Sequence, residues 1–497
     1  MKATSPKIID AAPGFSLSEQ HVVSDSDTNS ELSSPPESIV DGHEDSDCLE
    51  LSQIAGEKST SSKGKLHTRV HGKWYELSKF DHPGGPVALD LAKGRDATAL
   101  FESHHYFIPR KQLLQILAKY EVPAEEAKHL HTMNDKLEDD NPYEWEGIEN
   151  DGFANEIRQL AVDYFTDLAK KRGISVLEAA KATPQRNFIS ASLLVAFFAS
   201  LPAFVQGQWA FLFITPVLCW LAICNYWHDA LHFSLSTNWR INAYTPYVLP
   251  FLSSPWLWYH QHCVGHHVYT NVPHKDPDLA HFAPFMREHQ SIRWRPAHAY
   301  QALWWNYSLM WSVATGVGLN LRNAIRAIVK MNFNNVVPCQ KPNMLGMASL
   351  IGGRVLYVYV AYVWPFQVFS SGKAALWALV ANAVFSVCFM VNTQINHLVG
   401  PCSHTTSTNF YKSQVLTAQD FGHGSTFCFY FSGGLNYQIE HHLFPCINHC
   451  HLPALAPGVK RICKKYDVPY NYASGYRAAI KDHFEHKAEM AEKPKKQ

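Results

Sequence analysis

The stretch FISASLLVAFFASLPAFVQGQWAFLFITPVLCWLAICNY, residues 188–226, decides the fold. It carries no charged side chain. Two apolar runs, 188–205 and 209–226, are parted only by QGQ. A membrane span needs about 20 helical residues, so each run crosses once and the short turn makes a hairpin. The pattern recurs in MASLIGGRVLYVYVAYVWPFQVF (347–369) and AALWALVANAVFSVCFMV (374–391), parted by SSGK. The competing reading is four core helices of a soluble protein. Two hairpins with almost no charge tell against it. Nearly all Lys and Arg lie outside the two short turns. That predicts both termini and the long intervening region on the cytosolic side. Arg354 interrupts the third run and is expected to snorkel toward an end. LWWNYSLMWSVATGVGL (303–319), rich in Trp and Tyr, suits an interfacial helix.

Outside these runs the 497-residue chain is polar, with a net charge of zero. No basic excess points to nucleic acid, so no nucleic-acid partner is expected. The 11 Cys form no CxxC pair, which excludes a disulfide scaffold or a zinc ribbon. Cys446 and Cys450 of CINHCH read as reduced bystanders. No signal peptide opens the chain, so its start is expected in the cytosol. Residues 1–63, rich in Ser, Asp, Glu and Pro, read as a disordered acidic tail. Residues 64–135 read as a small domain, with strand material in VHGKWYELSKF and a short amphipathic helix in KQLLQILAKY. Residues 136–187 read as a linker. In it Ile157, Leu160, Ala161 and Phe165 share one helix face, expected at the surface on the way to the membrane. Residues 188–497 form the membrane domain.

Histidine is abundant, 28 in all, and clustered. NYWHDALHF places His228 and His232 four apart. WYHQHCVGHHVYT places His262 and His266 four apart, with His267 adjacent. LNYQIEHHLFP places Gln438, His441 and His442 at i, i+3 and i+4. Such offsets put side chains on one helix face, and adjacent histidines point about 100° apart, toward two different ions. Neutral imidazole is a good ligand for iron, zinc or copper. A zinc hydrolase uses about three ligands, and this set is larger. Two metal ions fit the supply. No paired Glu-x-x-His pattern points to a carboxylate-bridged bundle. Interfacial histidines bonded to backbone or headgroups would explain one cluster, but not three. Separately, KFDHPGG holds His82 in a sharp turn, and FESHH follows one helix-turn-helix later. Two axial imidazoles fill both faces of a haem iron, which then transfers electrons rather than binding oxygen.

The run from WYELSKF through HPGG to GRDAT and FESHH closely resembles cytochrome b5. That resemblance implies haem b, with His82 as one ligand and the other within His104–His105. The resemblance favours His105, since desaturase-fused versions of this domain place the ligand at the end of an F-x-x-x-H run like that from Phe101. The three histidine boxes, with GHHVYTN, DPDL and NYQIEHHLFP, resemble the membrane fatty-acid desaturases over roughly 190–470. A final box led by Gln, together with an N-terminal cytochrome b5 domain, resembles the front-end desaturases.

The resemblance implies a small α+β haem domain fused to an all-α integral membrane domain with a cytosolic di-iron cap. It implies two Fe, held by His228, His232, His262, His266, His267, Gln438, His441 and His442. It adds His397 of NTQINHLVG as a further ligand. His260, His274, His404, His423 and His449 match no such position, and Cys263 is not a ligand. Asp229 is expected to orient an imidazole. The implied reaction is O2-dependent insertion of a cis double bond between an existing double bond and the carboxyl end of a polyunsaturated acyl chain, of delta-5 or delta-6 type. Electrons are expected from NADH through a separate NADH-cytochrome b5 reductase. The substrate is a fatty acyl lipid or acyl-CoA. The tail KPKKQ is compatible with an endoplasmic reticulum membrane protein. A sphingolipid delta-8 desaturase, a desaturase of a specialised lipid or polyketide, and a hydroxylase share these motifs. A simple haem redox carrier needs only the first.

Overall fold

The computed structural model describes residues 65–133, 142–249, 254–280, 285–303, 308–309, 312, 322–405 and 407–494. The tail 1–63 and most of the 303–319 segment lie outside the described residues.

The N-terminal part opens with an antiparallel hairpin, His67–Val70 with Lys73–Glu76, in which His67 faces Glu76. Its two-residue turn puts His71 and Gly72 at φ 49 and 76, the left-handed pair that matches strand twist. Helices Pro86–Ala92, Thr98–His104 and Arg110–Leu117 follow. Val70, Tyr75, Leu77, Ala97 and Leu117 form their shared core.

Four helices, Pro184–Val205, Phe211–Leu231, Met344–Val368 and Ser371–Gln394, are long and apolar enough to cross a bilayer. Thr183 caps the first by accepting from Arg186 N, with Pro184 at the first helical position. Their outer faces expose Phe188, Val355 and Leu379 by 74%, 65% and 67%. Apolar side chains this exposed, repeated along every helix, face lipid rather than a soluble core. The two turns meet. Lys373 Nζ donates to Gly207 O at 2.8 Å, and Trp377 Nε1 donates to Phe204 O at 3.1 Å. Both hairpins therefore turn at one end, and the histidine boxes gather at the other.

Three details depart from the sequence expectation. The second helix does not stop at 226. A π-helical turn, Ile223–Trp227, carries it on to Leu231, so His228 sits on the helix itself. Wide turns of this kind recur at functional sites because they re-aim side chains. Arg354 does not snorkel. It lies mid-helix and only 8% exposed, turned into the protein. The helix Gly152–Arg172 is not a surface linker. Ile157, Ala161 and Phe165 are fully buried in the largest core cluster, with Leu455, Val459 and Ile462 of helix Leu452–Lys465. The helices approach closely at Gly458, where a Cβ would stand 2.5 Å from Leu160 Cδ1.

Candidate metal centre and haem pocket

His228 comes from the end of the second membrane helix. His262, His266 and His267 come from a second π-helical segment, Tyr259–His266, and the short helix after it. His397 lies three residues beyond the fourth membrane helix. Gln438, His441 and His442 lie on helix Gln438–Leu443. All are buried.

The imidazoles sort into two groups. One ligand atom each from His228, His232, His262 and His441 lies within 4.8 Å of the others, and so do those of His266, His397 and His442. The adjacent pair His441–His442 is therefore split between the groups, as a 100° helical step requires. His267 stands between them. Its Nε2 is 3.1 Å from His262 Nε2, and its ring stacks on His442 at 4.3 Å. His228 Nε2 and His262 Nε2 are 3.0 Å apart.

Burial holds His232, His262, His267, His441 and His442 far below the usual imidazole pKa, and neighbouring imidazoles push the same way. Neutral rings keep a lone pair for a metal. Among the described residues, His228 Nδ1, both nitrogens of His232, His267 Nδ1 and His441 Nε2 have no hydrogen-bond partner. Buried polar atoms are normally paired. Rings this sparsely bonded to protein, whose ligand atoms converge within 4.8 Å, fit bound transition-metal ions.

Outer partners set the tautomers. His397 Nδ1 donates to Thr417 O at 2.9 Å, and His442 Nδ1 to Gln414 Oε1 at 3.1 Å. Both turn Nε2 inward as the acceptor. His266 Nδ1 faces Asp276 at 3.3 Å. Burial pulls His266 down, but Asp276 and Asp278 carry it above the ordinary value. His449, which matches no motif position, is part of this shell. Its Nδ1 donates to Gly433 O at 2.7 Å, and its Nε2 accepts from His441 Nδ1 at 3.0 Å. Asp229 Oδ1 lies 3.0 Å from His449 Nδ1, while Arg186 and Asn448 hold its other oxygen. Asp276, Gln414 and Thr417 had no sequence signal beyond the DPDL run that contains the first.

Gln438 departs from the expected ligand role. Its Nε2, not its oxygen, lies 2.8 Å from His397 Nε2, while its Oε1 accepts from Asn396 Nδ2 at 2.9 Å. Asn396 Nδ2 also donates to Leu435 O, so that edge is fixed as a donor and the Gln438 amide cannot reverse without losing its partner. In this arrangement the amide donates to His397 Nε2 and is itself held by Asn396. His260 is satisfied on both nitrogens, by Trp256 O and Gln340 N, and has a structural role. Cys263 is buried and its thiol is directed at Leu231 O.

A cavity runs from these imidazoles between the second and fourth membrane helices. Trp220, Trp227, Trp258, Phe389 and Met390 line its apolar part, and His228, His262, His266 and His397 its polar end.

In the N-terminal domain His105, not His104, faces His82. Their ring centroids are 5.9 Å apart, room for one ion with an imidazole on either side. His105 Nδ1 donates to Phe101 O at 2.8 Å, which frees Nε2. Burial lowers His82 to about 4 and also lowers His105, so both rings stay neutral. His104 turns instead to Leu100 O and Ser103. The pair fits a bis-imidazole haem iron.

The profile of the fatty acid desaturase family matches residues 207–474, more than half the chain. The chain belongs to the fatty acid desaturase family. The profile of the cytochrome b5-like haem/steroid binding domain matches residues 51–123 of this desaturase. It is 28% identical to an acyl-lipid (8-3)-desaturase of Mortierella alpina, over 88% of this chain and 96% of the relative. It is 28% identical to delta(5) fatty acid desaturase A of Dictyostelium discoideum, over 86% and 90%. It is 26% identical to an acyl-lipid omega-13 desaturase of Chlamydomonas reinhardtii, over 80% and 88%. The desaturase is thus a membrane oxidoreductase with a fused cytochrome b5-like domain.

Proposed function

We propose that this desaturase inserts a cis double bond into a polyunsaturated acyl chain, between an existing double bond and the carboxyl end. The delta-5 position is favoured over delta-6 by the relatives named (8-3)- and delta(5)-desaturases. The observation that carries the reading is the pairing of two buried imidazole groups with an apolar cavity between membrane helices. One iron is assigned to His228, His232, His262 and His441, the other to His266, His397 and His442, with His267 between them. His82 and His105 are assigned to haem b. Bound there, the two irons supply the O2-derived oxidant that breaks unactivated C–H bonds, and the haem supplies electrons.

The protein's own work is positioning. Trp220, Trp258 and Phe389 hold the methylenes of the acyl chain against the histidine end of the cavity. Burial keeps bulk water from the reacting carbons. Thr417, Gln414 and Asp276 keep His397, His442 and His266 aimed inward. Electrons reach the haem domain from NADH through NADH-cytochrome b5 reductase. The enzyme acts in the endoplasmic reticulum membrane, with the haem domain and histidines facing the cytosol.

The test is expression in yeast fed C18 and C20 polyunsaturated acids, with mass spectrometry of acyl chains and long-chain bases. A new double bond on the carboxyl side of the existing ones is expected. A new bond only in long-chain bases would replace this reading with the sphingolipid one.

A further inference from the structure

The haem-side domain does not hang on its tether; it is locked to the final histidine box. Tyr106, next to His105, donates its hydroxyl to Leu443 O, the carbonyl one residue past His442. Its ring packs on Phe444 at 5.3 Å. Arg158, from helix Gly152–Arg172, grips the same segment. Its Nη2 donates to His105 O at 3.0 Å, and its Nη1 reaches Glu102 O at 3.1 Å, the Glu102 carboxylate at 3.3 Å and Tyr411 Oη at 3.1 Å. The guanidinium also lies 5.2 Å from the Tyr106 ring centroid. Glu102 is 2% exposed. It takes two hydrogen bonds from Arg110, at 3.0 and 2.7 Å, and one each from His71 and Tyr411. Burial alone would raise this carboxyl, but His71, Arg110 and Arg158 hold it down to about 2.

A buried charge network of this kind adds little net stability, but when fully hydrogen-bonded it rigidifies the segments it joins. A domain that docked and left with each electron would be served by a polar, solvated surface instead. We infer that Arg158 and Tyr106 are positioning residues that clamp the 105–106 peptide against Leu443, so that the haem ligand and the metal ligand His442 keep a fixed separation through turnover. This rests on the assignment of His82 and His105 to haem and of His442 to iron. In each transfer one electron leaves ferrous haem and enters the iron site, and two such transfers serve one double bond.

The test uses the full-length enzyme loaded with haem and iron. The haem is reduced anaerobically, then mixed with O2 and a polyunsaturated acyl substrate while the Soret band reports its reoxidation. Tyr106→Phe deletes one hydroxyl and keeps the ring. It is expected to bind haem with an unchanged spectrum and to slow reoxidation about tenfold, since small misplacements cost large factors in rate. Arg158→Met is expected to slow it further. Reduced soluble cytochrome b5, added in trans, should restore product formation in both. Wild-type reoxidation in Tyr106→Phe would overturn the clamp. His105→Ala tests the underlying assignment in the same preparation. Loss of its Soret band supports the haem reading, and retention would overturn that reading and the clamp with it.

Discussion

The two imidazole groups are built differently. In the group of His266, His397 and His442, each ring has its outer nitrogen tied to the protein, at Asp276, Thr417 O and Gln414. In the group of His228, His232, His262 and His441, only His441 has such a tie among the described residues, through His449. His228 Nδ1 and both nitrogens of His232 stand without partners among the described residues. Outer partners fix ring orientation and ligand basicity before a metal arrives. The protein therefore ties every ring in one half of the centre and fewer in the other.

The largest expected effect comes from the bare half. His232→Ala removes a ring that no other contact replaces. Turnover should fall by about 10³-fold or more, as for loss of a metal that activates O2 chemistry, with iron per chain reduced. Turnover within tenfold of wild type would take His232 out of the site. The next effect belongs to the tied half. Asp276→Asn keeps the shape but weakens the hold on His266, and should cost about 10- to 100-fold in iron affinity or activity. His449→Gln, which removes the outer tie of His441 in the other half, should fall near the lower end of that range, about tenfold. Iron titration and turnover on the three variants check the order. If His449→Gln costs more than Asp276→Asn, the contrast between the halves is wrong.

Much of this was legible in sequence because membrane helices and histidine spacing are local signals. The apolar runs marked both hairpins, and the adjacent His441–His442 pair marked two imidazole groups. Most of the failures come from contact across distance. The face of Ile157 and Phe165 was visible, but its burial against Leu455 and Val459 depends on a segment some 300 residues away. His449 carries no motif, because its role comes from Gly433 O and Asp229 meeting it in space. Arg354 looked ready to snorkel because sequence shows where a charge falls in a run, not which way it points. The π-helical turn at Ile223–Trp227 likewise has no period that differs enough from an α-helix to be read in five residues.

The smallest effect is expected at Gln438, and it sharpens the contrast most. Its position in the final box matches a ligand, but its amide donates to His397 Nε2 and its oxygen is held by Asn396. A donor facing a lone pair cannot share an ion with it. An ion held by His397 Nε2 would take that lone pair, leaving the Gln438 amide held by Asn396. Gln438→Ala should therefore keep its full iron content and lose turnover by about tenfold or less, the range of a lost positioning contact. Iron per chain, measured beside turnover, separates the two roles. Loss of one iron from two would make Gln438 a ligand after all, and the tied half would then hold its ion with the same four-sided set as the bare one.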